Sequence, residues 1–126
     1  MNQPVSPSAL HQVALFAHDL DRATAWYRDV LGLTFLFTAP PGMAFFDCGG
    51  VRVLIGTAAA SGPNPPRSML YWRVADIHAA AERLRAHGVV LPRDPAMIAK
   101  VAGREVWLLE LEDSEGHAVA LMQESP

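Results

Sequence analysis

Few side chains in this chain are of a type that does chemistry, and their spacing limits what they can do. Glu110 lies in the run Val106-Trp107-Leu108-Leu109-Glu110-Leu111. A carboxylate between two leucines is costly to bury unpaired, so it must reach water, a cation or an arginine such as Arg52 or Arg73. A partly apolar setting raises a carboxyl pKa toward neutrality and suits proton transfer, whereas a nearby arginine lowers it again. Glu110 is therefore the candidate general base, with Arg52 or Arg73 holding an anionic group. The bland alternative is a solvated carboxylate or a structural ion pair. His18, His78, His87 and His117 fall at turns and helix surfaces, and none has a second donor at ligand spacing. Asp76 and His78 near a helix start, and Arg85 and His87 near its end, read as capping and dipole interactions. Cys48 sits in a turn with no histidine near it in sequence, so nothing favours a catalytic thiol.

These residues must be positioned by a unit that occurs twice. Val13 to Leu20, followed by a helical run ending at Gly32-Leu33, returns as Leu70 to Ile77 with a helical run ending at Gly88-Val89. Asp47 to Leu54 returns as Asp113 to Ala120. The first copy reads as a strand at 10–17 and a helix from Asp21 to Leu31, with Ala23, Trp26, Tyr27, Val30 and Leu31 on one face. Asp19 caps that helix and Gly32 ends it. Strands at 33–38, 43–47 and 51–55 follow, between the breakers Pro40-Pro41-Gly42 and Gly49-Gly50. The second copy reads as a strand at 68–74, a helix capped by Asp76 with Ile77, Ala80, Ala81 and Leu84 inward, and strands at 89–91, 105–111 and 118–123. Residues 93–103 read as a loop or short helix without counterpart in the first copy. Residues 58–67 read as a proline-rich connector, and 1–7 as a disordered lead.

A chain of 126 residues, 51% hydrophobic, suffices for one well-cored domain and is short for two independent ones. The expectation is thus a single domain over 8–124, made of modules at about 9–57 and 68–124 that pack around a shared concavity. A net charge of −3 with no run of like charges gives no footprint for nucleic acid or an anionic membrane. No apolar run approaches the roughly 20 residues of a membrane span. A single cysteine and a start lacking signal-peptide character point to the cytoplasm.

Alternation along the strands assigns faces. Val13, Leu15 and Ala17 belong under the helix, leaving Gln12, Ala14 and Phe16 toward the hollow; Leu70, Trp72 and Val74 belong to the core, leaving Met69, Tyr71 and Arg73. Arg52 and Leu54, Leu108 and Glu110, and Ala118, Ala120 and Met122 complete the hollow side. Phe46 is added to this lining as an aromatic contact. The candidate ligand-binding set is Gln12, Phe16, Phe46, Arg52, Leu54, Met69, Tyr71, Arg73, Leu108 and Met122. Such an apolar and aromatic lining with few polar groups is the usual make-up of a small-molecule pocket.

Trp26-Tyr27-Arg28-Asp29-Val30-Leu31-Gly32-Leu33 in the first copy, and Asp113-Ser114-Glu115-Gly116 leading into Leu121-Met122 in the second, resemble the vicinal oxygen chelate superfamily. That is the glyoxalase, bleomycin-resistance and extradiol dioxygenase group, and the resemblance spans roughly residues 9 to 124. It implies an α+β fold of paired βαβββ modules forming a cup-shaped curved sheet, and commonly a homodimer. It also implies a divalent metal held by four inward side chains, which in this chain would be Gln12, Leu54, Met69 and Ala120. Metal ligation needs imidazole or carboxylate donors converging at about 2.0–2.2 Å. Only Gln12 offers an oxygen, so no divalent metal or other cofactor is expected. His11 adjoins the first of these positions, but a one-residue shift turns it to the other face unless a bulge intervenes.

Three functions remain open on these residues. The first is a metal-free protein that binds a small organic molecule, as in the bleomycin-resistance branch. The second is a metal-independent isomerase, lyase or hydrolase using Glu110. The third, which requires a ligand set other than the familiar one, is a metal-dependent lyase or dioxygenase.

Overall fold

In the computed structural model, which describes residues 3, 4, 6–62, 67 and 69–126, both aspartates expected to start helices do so. Asp19 Oδ1 accepts from the Arg22 backbone N–H and Asp76 Oδ1 from the Ala79 N–H, each at 3.0 Å. Each bond satisfies one N–H that a helix start otherwise leaves without a partner. Gly32 and Gly88 stand past the helix ends with φ of 86° and 82°, a conformation that side chains with a Cβ resist.

The chain divides into two units, 1–65 and 66–126. The first comprises β1 (Gln12–Phe16), α1 (Leu20–Ala25) continued by a π-helical turn (Trp26–Val30), β2 (Thr34–Ala39), β3 (Met43–Cys48), β4 (Val51–Gly56) and the short α2 (Ala58–Ser61). Its sheet runs β1-β4-β3-β2, with β1 parallel to β4 and the other pairs antiparallel. The second comprises β5 (Tyr71–Arg73), α3 (Ile77–Ala86), β6 (Ala96–Val101), β7 (Arg104–Glu112) and β8 (Ala118–Ser125), with sheet order β5-β8-β7-β6 and the same strand senses. Each unit is therefore a βαβββ module, which is the expected fold class. Among the described residues no helix is long and apolar enough to cross a membrane.

Each core lies between a sheet and its helix. In the first unit Ala23, Trp26 and Tyr27 are buried with Ala17, Ala44, Phe46, Val53 and Ile55. The helix ends differently from the expectation, because Leu31 donates to the Trp26 carbonyl, five residues back. That wider turn accompanies burial of two adjacent bulky rings, Trp26 and Tyr27, which meet edge to face at 4.9 Å. In the second unit Ile77, Ala81 and Leu84 are buried with Leu109, Leu111, Val119 and Leu121. The Ile77 N–H also finds the Gln123 side-chain oxygen at 2.7 Å, tying the start of α3 to β8.

The expected strand at 89–91 does not form, and most of the stretch 93–103, expected as a loop or short helix, is strand. Pro92 lacks the N–H a ladder needs, and pairing begins only at Ala96. β6 pairs along β7 and is the counterpart of β2, down to an irregularity at the same place: the register slips at Ile98 in β6 and at Leu36 in β2. The strand expected at 68–74 is shorter, 71–73, and Ser68 lies outside the described residues. Of the connector at 58–67, Ala58–Ser61 is helical and 63–66 lie outside them; of the lead, residues 1, 2 and 5 do as well.

Candidate functional site

Most of the candidate residues fall on the face of each sheet away from its helix. In the first unit the register aligns three rows across that face. The polar row is Gln12, Arg52, Asp47 and Thr34; the apolar row is Ala14, Leu54, Phe45 and Phe37; the third is Phe16, Gly56, Met43 and Ala39. Phe37 and Phe45 stack with ring centroids 4.7 Å apart and planes 24° from parallel. Leu54, Phe45, Phe16 and Met43 are half-buried, and Gln12 and Arg52 are exposed.

One end of this face is closed. Gly56 points to the same side as Leu54 and Arg52, and α2 folds against it so closely that a Cβ there would lie 2.8 Å from Ser61 Oγ and 3.3 Å from Ala60 Cβ. Thr57 fixes the start of α2, its N–H and its hydroxyl both donating to the Gly42 carbonyl at 3.0 and 3.3 Å. The result is an apolar floor with α2 at one end and the polar row at the other. Arg52 and Asp47 are register partners, yet no ion pair joins them among the described residues.

In the second unit the open face carries Tyr71, Ala120 and Glu110 in one row and Arg73, Met122, Leu108 and Ala96 in the next. Tyr71 is 56% exposed, Arg73 and Glu110 are exposed, and Leu108 and Met122 are half-buried. Met69 precedes β5 and is half-buried. Glu110 is exposed and makes no ion pair with Arg73.

One assignment is corrected. Phe46 is fully buried on the helix side, paired with Val53 and packed against Tyr27 and Phe35 at ring distances of 6.5 and 5.6 Å. Its neighbour Phe45 takes the open face instead, because adjacent residues of a strand point opposite ways. Phe37, Asp47 and Thr34 also went unread. Pairing each β4 residue with its β3 neighbour would have found Phe45 and Asp47, but Phe37 lies beyond the slip at Leu36, where counting by twos fails.

The histidines do not converge. His18, His78 and His87 are exposed; His11 is exposed before β1, where its carbonyl accepts from Arg52 N–H; and His78 meets Trp107 edge to face at 4.9 Å. His117 is less superficial than expected: it is half-buried in the β7–β8 hairpin, where Asp113 Oδ1 accepts from both the Glu115 and His117 backbone N–H groups. Arg85 lies in the last turn of α3 as expected and also pairs with Asp94 and Glu82, and the Asp94 hydrogen bond foremost holds its pKa above the ordinary value. Among the described residues no group of three or more His, Cys, Asp or Glu is placed to hold a metal ion.

A family model for the Glyoxalase/Bleomycin resistance protein/Dioxygenase superfamily matches residues 9–121. The chain belongs to that superfamily. No curated protein matches it. Solved structures do, among them lactoylglutathione lyase from Agrobacterium tumefaciens, 24% identical with a TM-score of 0.77 over 94% of this chain and 95% of that one. A glyoxalase/bleomycin resistance protein/dioxygenase from Nocardioides is 23% identical, with a TM-score of 0.74 over 97% and 87% of the two chains. A superfamily member from Sphaerobacter thermophilus is 19% identical, with a TM-score of 0.76 over 94% and 98%. At such identities the likeness is one of fold. The four positions that the resemblance assigns to a divalent metal offer side chains that do not fit one: those of Leu54 and Ala120 have no lone pair, Met69 has only a thioether, and Gln12 has only an amide oxygen.

Proposed function

We propose that this superfamily member binds a small organic molecule on the open face of its first unit, without the divalent metal of the family's enzymes. The observation that carries the reading is the apolar row Ala14, Leu54, Phe45 and Phe37, half-buried at Leu54 and Phe45, closed by α2 at one end and edged by Gln12, Arg52, Asp47 and Thr34 at the other. An apolar floor with a few polar groups at one margin is how small-molecule sites combine affinity with orientation. The donor-poor set Gln12, Leu54, Met69 and Ala120 supports the metal-free part. Thermal-shift screening of the full chain against diverse small organic compounds, followed by calorimetry, tests the reading. Binders should emerge, and Leu54→Glu should abolish them while leaving the fold intact. A screen without binders, or binders indifferent to Leu54→Glu, overturns it.

A further inference from the structure

The polar margin of the first unit's open face narrows the class of ligand, on the footing of the binding reading above. Arg52 and Asp47 sit opposite one another on β4 and β3, on the same face, with opposite charges and no ion pair between them among the described residues. Cross-strand neighbours of this kind have Cβ atoms about 4.5–5.5 Å apart. A ligand carrying only an anion would gain from Arg52 and be opposed by Asp47; one carrying only a cation would meet the reverse. A ligand with an ammonium and a carboxylate borne on one carbon satisfies both side chains at once.

The apolar row lies two residues further along the strands, about 6.7 Å from the polar one, as the strand rise dictates. That offset is about one side chain's length. It places an apolar group over Leu54 and its register partner Phe45, short of Ala60 and Ser61. We infer that the first unit recognises a zwitterionic α-amino acid head carrying an aromatic or large apolar side chain. The carboxylate accepts from Arg52, the ammonium donates to Asp47, and the side chain lies on Leu54 and Phe45. Gln12 and Thr34 flank the charged pair and offer further hydrogen bonds to the head.

Calorimetry of the full chain with L-tryptophan, indolepropionate, tryptamine and indole tests this without any substitution. Tryptophan should bind at least about tenfold more tightly than each of the other three, about 1.4 kcal/mol. Arg52→Gln should weaken tryptophan and indolepropionate and leave tryptamine no weaker. Asp47→Asn should weaken tryptophan and tryptamine and leave indolepropionate no weaker. Indole or indolepropionate binding as tightly as tryptophan overturns the inference, as does tryptophan binding unchanged by both substitutions. If tryptophan fails to bind while other compounds bind and are lost in Leu54→Glu, the zwitterion inference falls and the binding face stands. If no compound of any kind binds, both fall.

Discussion

The two units are alike on the sheet face that meets the helix and differ on the open face. Toward the helices, Val13, Leu15, Val53 and Ile55 of the first correspond to Leu70, Trp72, Val119 and Leu121 of the second, apolar for apolar. On the open faces the same register positions read Ala14, Leu54 and Phe45 in one and Tyr71, Ala120 and Glu110 in the other. A core position must fill a fixed volume without water, so its alternatives are few. An open-face position answers only to what it meets there. The repeat therefore preserved the scaffold and released the chemistry, leaving an apolar floor in one copy and, in the other, an exposed carboxylate and an exposed phenol on either side of Ala120.

Four measurements can break or sharpen that contrast. The largest effect belongs to neighbours on opposite faces: Phe46→Ala should cost about 3–5 kcal/mol in urea unfolding, as buried aromatic truncations do. Phe45→Ala, half-exposed, should cost well under half as much. Equal losses would mean that the two faces are not distinguished as described. Next, for any carboxylate-bearing ligand found to need Leu54, Arg52→Gln should weaken binding by about 1.5–3 kcal/mol, the range of a charge-assisted hydrogen bond, and Glu110→Gln should change it little. The opposite ranking would move the site to the second unit. Asp19→Ala and Asp76→Ala should each cost about 1 kcal/mol through the loss of matching 3.0 Å cap bonds. A marked inequality would show that the helices of the two copies are held differently. The smallest effect concerns metal: chelator treatment should leave the melting temperature and ligand affinity unchanged, and elemental analysis should find no stoichiometric zinc, nickel, iron or manganese. A stoichiometric ion would overturn the metal-free reading.

What could be read in advance followed from where periodicity stays unbroken. Asp19, Gly32, Asp76 and Gly88 mark helix ends by chemistry local to each position, and all four were legible. So was the face of Arg52 and Leu54, because β4 alternates cleanly between glycines. β6 was not. Its residues are exposed throughout and its register slips at Ile98, so no apolar alternation announces a strand there. The paired phenylalanines Phe45 and Phe46 defeated assignment for a different reason. Each is a plausible core or pocket residue, and only the pairing of β3 with β4 decides which way each one points. The π-helical turn was invisible because it arises where Trp26 and Tyr27 are both accommodated inside, a demand of packing rather than of spacing.

The slips at Leu36 and Ile98 carry a consequence beyond register. β2 and β6 form the outer margins of their sheets and expose Phe35, Leu36 and Phe37 in one and Met97, Ile98 and Val101 in the other. A long, flat and apolar strand with free backbone groups invites another chain to extend the ladder, the route by which β proteins clump. One surplus residue bends and twists each margin, so that an incoming strand can match only a short stretch of it. Each copy of the unit thus carries its own safeguard against uncontrolled self-association, built into the backbone at the place where its side chains would otherwise encourage it.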